Sequence, residues 1–157
     1  MIRIAVFSDT HGDLSRLDAA MRLIQPVQAI IHLGDFAADA ARIAAALGLP
    51  YQAVRGNCDA SDAFPAEQVV WYEKTSLLLT HGNRYGSGWM LAHETKQRHC
   101  KAALFGHSHV PLLRNEGGIL LINPGSLSHP RGGSTHGFCV LAVENAELSV
   151  QMVPLPA

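Results

Sequence analysis

Carboxylate and imidazole side chains recur directly after short apolar segments of this sequence. The first segment, residues 2–7, reads IRIAVF and is followed almost at once by Asp9 and His11. A mostly apolar run of strand-forming residues that ends in turn residues predicts a strand buried on both faces. Because ligands of open α/β sheets bind just past the carboxyl ends of the strands, these two side chains are well placed to hold a metal ion.

Four further apolar segments end in the same way, near residues 33, 54, 80 and 105. Glycine accompanies each of them, and it permits the positive φ and close backbone approach that a turn around a metal cluster often needs. Any one of these motifs alone could be a turn or a surface histidine, but all of them together are hard to explain that way. The polar residues that follow the four segments are Asp35, Asn57, His81, and the pair His107 and His109.

These seven residues offer two carboxylates, one amide oxygen and four imidazoles, with no obligatory thiolate. The donor set suits Mn, Fe, Zn, Co or Ni better than Ca or a structural cysteine–zinc site. Seven ligands are too many for one tetrahedral ion, but they suit two ions that share a carboxylate. Paired ions about 3.5–4 Å apart stabilise the attacking and leaving oxygens of a phosphoryl transfer, and this donor set is compatible with such chemistry.

Size, charge and cysteine content narrow the class of protein. The 157 residues predict a single domain over 1–157. Only 16% of them are charged, so part of the surface could be covered by another subunit in a homo-oligomer. A net charge of −1 without a Lys/Arg run argues against an extended nucleic-acid surface, though not against an enzyme that acts on a phosphodiester. Neither a membrane span of ~20 apolar residues nor a signal peptide is recognisable. Three cysteines without scaffold spacing favour a reducing cytoplasmic compartment.

The order of the predicted elements indicates an α/β protein. Apolar residues at helical spacing predict a helix over 14–24 with Asp13 as its cap, and an alanine-rich segment predicts a second helix over 37–47. These helices alternate with three predicted strands in the βαβαβ pattern of a parallel sheet. Later segments predict strands at 68–72, 76–80 and 102–105, a helix at 89–99, and two hairpins within 112–122 and 138–153. Two mixed sheets packed face to face, with the helices outside, are the simplest assembly.

The polar motifs, taken in order, resemble those of the calcineurin-like metallophosphoesterase superfamily. They read Asp9-x-His11, Gly34-Asp35, Gly56-Asn57, His81-Gly82 and Gly106-His107-x-His109. The small size, the sequence Gly56-Asn57-Cys58-Asp59 and the later Asn123-Pro124-Gly125-Ser126 are similar to the small prokaryotic YfcE-type phosphodiesterases. The resemblance implies a four-layer α/β/β/α sandwich of two mixed sheets and a metal-dependent hydrolase.

The resemblance also implies a role for each polar residue and two divalent metal ions, with Mn²⁺ expected and Ni²⁺, Zn²⁺, Fe²⁺ or Co²⁺ as alternatives. A water or hydroxide between the ions would be the nucleophile, with its pKa lowered from 15.7 toward about 7, and would attack phosphorus in line. The metals would neutralise charge on the equatorial oxygens. Asp9, His11 and His109 would bind the first ion, Asp35 would bridge, and Asn57, His81 and His107 would bind the second, so that Asp35, Asn57 and His81 count as catalytic too.

One position departs from the family pattern. Many members carry a histidine directly after the asparagine, where it stabilises the transition state or protonates the leaving group, but here the residue is Cys58. A thiol is mostly neutral at pH 7 and donates weakly, and loss of a positioned general acid typically costs ~10²–10⁴-fold in rate. Either good leaving groups are favoured, or His129 or Arg131 reaches the substrate phosphate. A solvated loop is the alternative for both of these residues.

A scaffold of the same fold is the rival hypothesis. The retromer scaffold subunit is similar in fold and size, and such a scaffold is expected to lose ligand positions, whereas all seven are present here. Core packing is expected for Trp71, Tyr72, Trp89 and Met90, with a partner face as the alternative. The sequence therefore predicts a phosphoesterase that acts on a small phosphate ester. A phosphodiester is favoured as its substrate over a phosphomonoester.

Overall fold

The computed structural model describes residues 1–60 and 62–156 and contains two five-stranded sheets. Within these ranges, no helix is long and apolar enough to cross a membrane. In chain order the elements are β1 (Ile2–Phe7), α1 (Leu17–Met21), β2 (Ala29–His32), α2 (Asp39–Leu47), β3 (Tyr51–Ala53), β4 (Glu67–Tyr72), β5 (Thr75–Thr80), α3 (Gly88–Gln97), β6 (Ala102–Leu104), β7 (Leu112–Glu116), β8 (Ile119–Asn123), β9 (Gly137–Glu144) and β10 (Glu147–Pro154).

Both sheets are mixed. The first has the strand order β10-β9-β1-β2-β3, in which β1, β2 and β3 are parallel, β9 is antiparallel to β1, and β10 is antiparallel to β9. The second has the order β4-β5-β6-β8-β7, with β5, β6 and β8 parallel and antiparallel strands at both edges. The carboxyl ends of the parallel strands therefore open at one edge of each sheet, which is where α/β proteins build their sites.

Alternate residues of the central strands fill two different apolar layers. Ile4 and Val6 of β1 point into the core between the sheets, whereas Ala5 and Phe7 point into the core beneath α1 and α2. The Phe7 ring stacks on Phe138 with centroids 5.0 Å apart. Because α3 packs on the outer face of the second sheet through Leu91, the layers run helix, sheet, sheet, helix. The predicted α/β/β/α sandwich is confirmed.

The first predicted helix is much shorter in the structure. A helix was expected over 14–24, but α1 covers five residues, and Leu14 and Ile24 lie outside it as partly buried side chains packed against the same core. The spacing of apolar residues in this segment therefore indicated which side chains face the core, but it did not indicate the length of the helix. Asp13 does not cap α1, because its Oδ1 accepts hydrogen bonds from the N–H (3.0 Å) and hydroxyl (2.6 Å) of Ser15. The residue at the cap position, Arg16, makes no side-chain cap hydrogen bond.

Three large side chains expected in the core lie on the surface instead. Trp71 is 66% exposed and Trp89 is 65% exposed, and Met90 is also exposed. Trp71 belongs to the edge strand β4 and points away from the inter-sheet core, which takes the neighbouring Val70 and part of Tyr72. The prediction of core packing was wrong for these three side chains, because the sequence does not indicate how far α3 covers its sheet.

A buried polar chain links the ends of β1 and β2 to α2. The hydroxyl of Thr10 donates to Asp39 Oδ2 (2.6 Å), so it accepts from His32 Nε2 (2.9 Å), while His32 Nδ1 accepts from the N–H of Gly34 (3.1 Å). Both ring nitrogens of His32 are thereby used by the neutral imidazole. Burial lowers the pKa of His32 to about 4, and the nearby Asp39 carboxylate only partly opposes this.

His32 should make the folded protein sensitive to acid. The unfolded chain takes up this proton near pH 6.5, whereas the folded chain takes it up only near pH 4, so stability is lost as the pH falls between these values. The predicted loss is roughly 3 kcal/mol in the free energy of unfolding. Urea unfolding of metal-free protein at pH 7, 5.5 and 4.5 measures it.

The variant His32→Gln should show a flatter dependence of unfolding free energy on pH across this window, whatever its absolute stability. His93→Gln, at an exposed histidine of α3, is the matched control and should keep the wild-type slope. An unchanged slope in His32→Gln would contradict the buried, neutral state of this residue.

Candidate metal centre

Four of the predicted ligands form one tight group. Asp9, His11, Asp35 and His109 each offer an atom within 4.8 Å of all the others. His109 Nε2 lies 3.3 Å from Asp9 Oδ1 and 3.4 Å from His11 Nε2, and His11 Nε2 lies 3.8 Å from Asp35 Oδ2. This half of the centre joins residues from the ends of β1, β2 and β6.

The remaining predicted ligands lie beside the first group. His81 Nε2 is 3.4 Å from Asp35 Oδ2, and its ring centroid is 5.2 Å from that of His107. His107 Nδ1 in turn lies 3.2 Å from Asn57 Oδ1. The structure therefore brings all seven predicted side chains together, and the Asp35 carboxylate lies between the two halves.

Backbone carbonyls orient two of the imidazoles. His81 Nδ1 donates to Leu33 O (2.7 Å), and His109 Nδ1 donates to His129 O (2.5 Å). Each bond fixes the tautomer and leaves Nε2 directed at the carboxylates. Metal-ligating histidines in proteins are held in this way by a partner of their second ring nitrogen.

Two buried atoms at the centre lack a hydrogen-bond partner. Among the described residues only three buried side-chain nitrogen or oxygen atoms have none, and two of them are Asp9 Oδ1 and His81 Nε2, 3.7 Å apart. Asp9 Oδ2, by contrast, accepts from Ser8 Oγ (2.6 Å) and the His107 N–H (3.0 Å). An unpaired buried carboxylate oxygen is costly unless a cation is available to it. The residues present fit a divalent ion.

The backbone around the centre is in an uncommon conformation. Nine non-glycine residues of the described chain have positive φ, and six of these are at the strand ends: Asp9, His11, Asp35, Phe36, His107 and His109. Such residues cost energy and cluster at functional sites. Two glycines of the centre are needed for space rather than for positive φ. A Cβ at Gly56 would collide with Asp35, and a Cβ at Gly106 would collide with Ser8.

Asp59 is a positioning residue that the sequence interpretation missed. Its carboxylate accepts four backbone N–H bonds at 2.7–3.1 Å, from Asp35, Phe36, Ala37 and Gly56. It thereby ties the end of β2 to the end of β3. The only signal in the sequence is its place two residues after Asn57, in a segment otherwise typical of a turn.

Charge interactions prepare the metal-free centre for a cation. Burial raises the pKa of the Asp35 carboxyl, but the neighbouring imidazole of His81, 3.4 Å away, and the hydrogen bond from the Cys58 N–H outweigh it and hold the pKa well below its usual range. Burial lowers the pKa of His81, but Asp35 and Asp9 outweigh this and the net direction is upward. A site of this kind stabilises positive charge.

The three residues considered for the leaving group occupy different places. Cys58 is exposed, but partial desolvation by its neighbours, together with the Asp35 charge, raises the pKa of its thiol. His129 lies edge-on to His11 with ring centroids 5.3 Å apart, and its Nδ1 donates to Ser128 Oγ (2.8 Å), since that hydroxyl donates to Thr10 O (2.7 Å). Arg131 is exposed and is tied to the centre through its backbone N–H, which donates to His109 O (3.1 Å).

Known proteins match the chain over nearly its whole length. The profile of the calcineurin-like phosphoesterase superfamily domain matches residues 2–146. The probable metallophosphoesterase YsnB of Bacillus subtilis is 30% identical over 154 residues, covering 96% of this chain and 89% of YsnB. Phosphodiesterase YfcE of Escherichia coli K12 is 31% identical over 174 aligned positions, covering 96% and 91%.

A structural neighbour shares the fold at lower identity. Vps29 of Entamoeba histolytica, solved in complex with Zn²⁺, superposes with a TM-score of 0.80 at 20% identity, covering 95% of this chain and 90% of Vps29. That likeness shows the fold alone. The profile match and the two relatives confirm the resemblance predicted from the motifs, and the chain belongs to the calcineurin-like phosphoesterase superfamily.

Proposed function

We propose that the chain is a metal-dependent phosphoesterase that acts on small phosphodiesters in preference to phosphomonoesters. Asp9, His11, Asp35 and His109 would hold one divalent ion. Asn57, His81 and His107 would hold a second, with Asp35 shared between the two. The observation that carries the proposal is the pair of buried, unpartnered atoms Asp9 Oδ1 and His81 Nε2, which face each other within this donor set.

Mn²⁺ is the proposed ion, with Ni²⁺, Zn²⁺, Fe²⁺ and Co²⁺ as alternatives, because the donors are a mixture of imidazole nitrogen and oxygen. When bound, two such ions act as Lewis acids on the phosphoryl oxygens and lower the pKa of a coordinated water. The protein's part is orientation: carbonyls hold the imidazoles of His81 and His109 with Nε2 inward, and Cys58 N–H and His81 hold the Asp35 carboxylate. Groups fixed in advance need no reorganisation during the reaction.

The proposed site lacks a strong proton donor at the position of Cys58, where many members of the family have a histidine. A neutral thiol whose pKa is raised by partial desolvation and by Asp35 donates poorly, so Cys58 contributes little as a general acid. We propose that His129 and Arg131 instead contact the substrate phosphate. His129 is the better placed, because its ring lies against that of His11.

The three unpaired thiols support a reducing compartment such as the cytoplasm. Cys58 is exposed, whereas Cys100 and Cys139 are buried. A free exposed thiol persists best where disulfides do not form.

A scaffold function is a second candidate, favoured by the exposed Trp71 and Trp89. Metal binding alone does not separate the two candidates, because it would show that the donor set holds an ion and not that a phosphoester is hydrolysed. Turnover is therefore the necessary measurement. The experiment is hydrolysis of bis(p-nitrophenyl) phosphate and p-nitrophenyl phosphate by metal-free protein and after addition of each candidate ion.

Asp35→Asn should abolish the shared ligand and lower turnover of the diester at least ~100-fold, with fewer ions bound per chain. Steady-state kinetics and elemental analysis of the purified variant measure both quantities. Asp13→Asn, at an exposed carboxylate bonded to Ser15, is the matched control and should retain wild-type turnover. Undiminished turnover in folded Asp35→Asn would remove this residue from the mechanism.

Cys58→His should restore a proton donor and raise turnover ~10-fold or more for diesters with alkyl leaving groups, and less for nitrophenyl esters that need no protonation. Rates measured against leaving-group pKa should therefore show a shallower slope in the variant. Cys58→Ser provides the size-matched control and should keep the wild-type slope. An identical slope in Cys58→His would mean that this position does not face the leaving group.

His129→Ala should lower kcat/KM for the diester about tenfold, because a polar contact to the phosphate is lost. Arg131→Ala should act mainly on KM, since an exposed guanidinium contributes charge more than geometry. Both constants are measured under saturating Mn²⁺. Unchanged kinetic constants in either variant would remove that residue from the substrate site.

A further inference from the structure

A cavity of about 380 Å³ opens directly beside the candidate metal centre. It is bounded by the loop after β5, the start of α3, the loop after β6, and β7. His107 belongs to both places, since it lines the cavity while its Nδ1 lies 3.2 Å from Asn57 Oδ1. A phosphoryl group held at the centre would therefore place one of its substituents at the mouth of this cavity.

The wall of the cavity is mostly carbon. Two polar groups of the lining are already engaged by the protein: the Tyr85 hydroxyl donates to Glu67 Oε2 (2.7 Å), and Asn123 Nδ2 donates to Gly106 O (3.1 Å) and Ser108 Oγ (3.0 Å). A cavity of this size and character suits one apolar ring system. The side chains that form the apolar wall are Tyr85, Leu91, Phe105, Val110, Pro111 and Leu112.

One arginine adds positive charge to this lining. Arg114 stands two residues after Leu112, so both project from the same face of β7. Its Nε bonds Glu116 Oε2 at 3.2 Å, and its Nη2 packs so tightly on Gly88 that a Cβ there would collide with it. The guanidinium is thus held beside the N-terminal end of α3, where the backbone also favours negative charge.

We propose that this cavity binds the organic ester group of the substrate, and that this group is flat and largely apolar with an anionic substituent directed to Arg114. The inference rests on the phosphoesterase function proposed above and adds the substrate class. Leu112 would supply apolar contact, Arg114 would select the substituent, and His107 would form the boundary with the phosphoryl site.

Binding of phosphonates, which are not hydrolysed, tests the assignment without using turnover. Calorimetry with Mn²⁺-loaded protein would compare methylphosphonate, phenylphosphonate and 4-carboxyphenylphosphonate. We expect phenylphosphonate to bind about tenfold more tightly than methylphosphonate, from the apolar area buried. The carboxylated ring should bind more tightly still, by about another fivefold, through a charge-assisted contact.

Two variants locate the effect. Leu112→Trp should fill the cavity and erase the preference for phenyl over methyl, whereas Leu113→Trp, on the exposed opposite face of β7, should retain it. Arg114→Gln should keep the preference for the ring but lose the gain from its carboxylate. A phenyl preference that survives Leu112→Trp, or equal binding of the three phosphonates to the wild type, would overturn the assignment.

The outcomes separate the cavity from the proposed function. Hydrolysis of the nitrophenyl diester without any preference among phosphonates overturns the cavity assignment alone. Absence of both hydrolysis and phosphonate binding, with every candidate ion, overturns the phosphoesterase proposal and the cavity assignment with it.

Discussion

The crowding of two carboxylates and four imidazoles into one site is the constraint on which the rest of this structure depends. Asp9 and His81 each have a buried atom without a partner, 3.7 Å from the other, and Asp35 lies against His81 on one side and His11 on the other. Six residues here also adopt left-handed backbone conformations, at roughly 1–2 kcal/mol each. Crowding, desolvation and backbone strain all oppose folding, and a bound divalent cation would relieve the first two directly.

The surrounding fold holds this site open to a cation by fixing its backbone. The Asp59 carboxylate accepts four backbone N–H bonds and so joins the ends of β2 and β3. The buried hydrogen bonds among His32, Thr10 and Asp39 join β1 and β2 to α2. The apolar core between the sheets sets the distance between the two groups of strand ends. The same arrangement of strands places the cavity beside His107. The positions of the metal donors and the shape of the cavity therefore both follow from how the strands pack.

Much of the site could be predicted because its signals are local. Each donor stands directly after an apolar strand, and parallel strands bring their carboxyl ends together, so the approximate position of all seven residues follows from the order of the elements. The wrong predictions concern features that depend on contacts between residues far apart in the sequence. Leu14 and Ile24 have helical spacing but are partly buried outside α1. Trp71 is large and apolar, but its exposure depends on how much of the second sheet α3 covers. The role of Asp59 depends on the proximity of two loops, which no local pattern in the sequence expresses.

The most direct test of the two-metal phosphoesterase is a titration of metal-free protein with Mn²⁺, in which bound ions and turnover of bis(p-nitrophenyl) phosphate are measured in the same samples. We expect turnover to require occupancy of two ions per chain, with little activity when only the first is bound. A folded protein that binds ions but shows no turnover with Mn²⁺, Ni²⁺, Zn²⁺, Fe²⁺ or Co²⁺, or one that reaches full turnover with a single ion, would contradict the proposed centre.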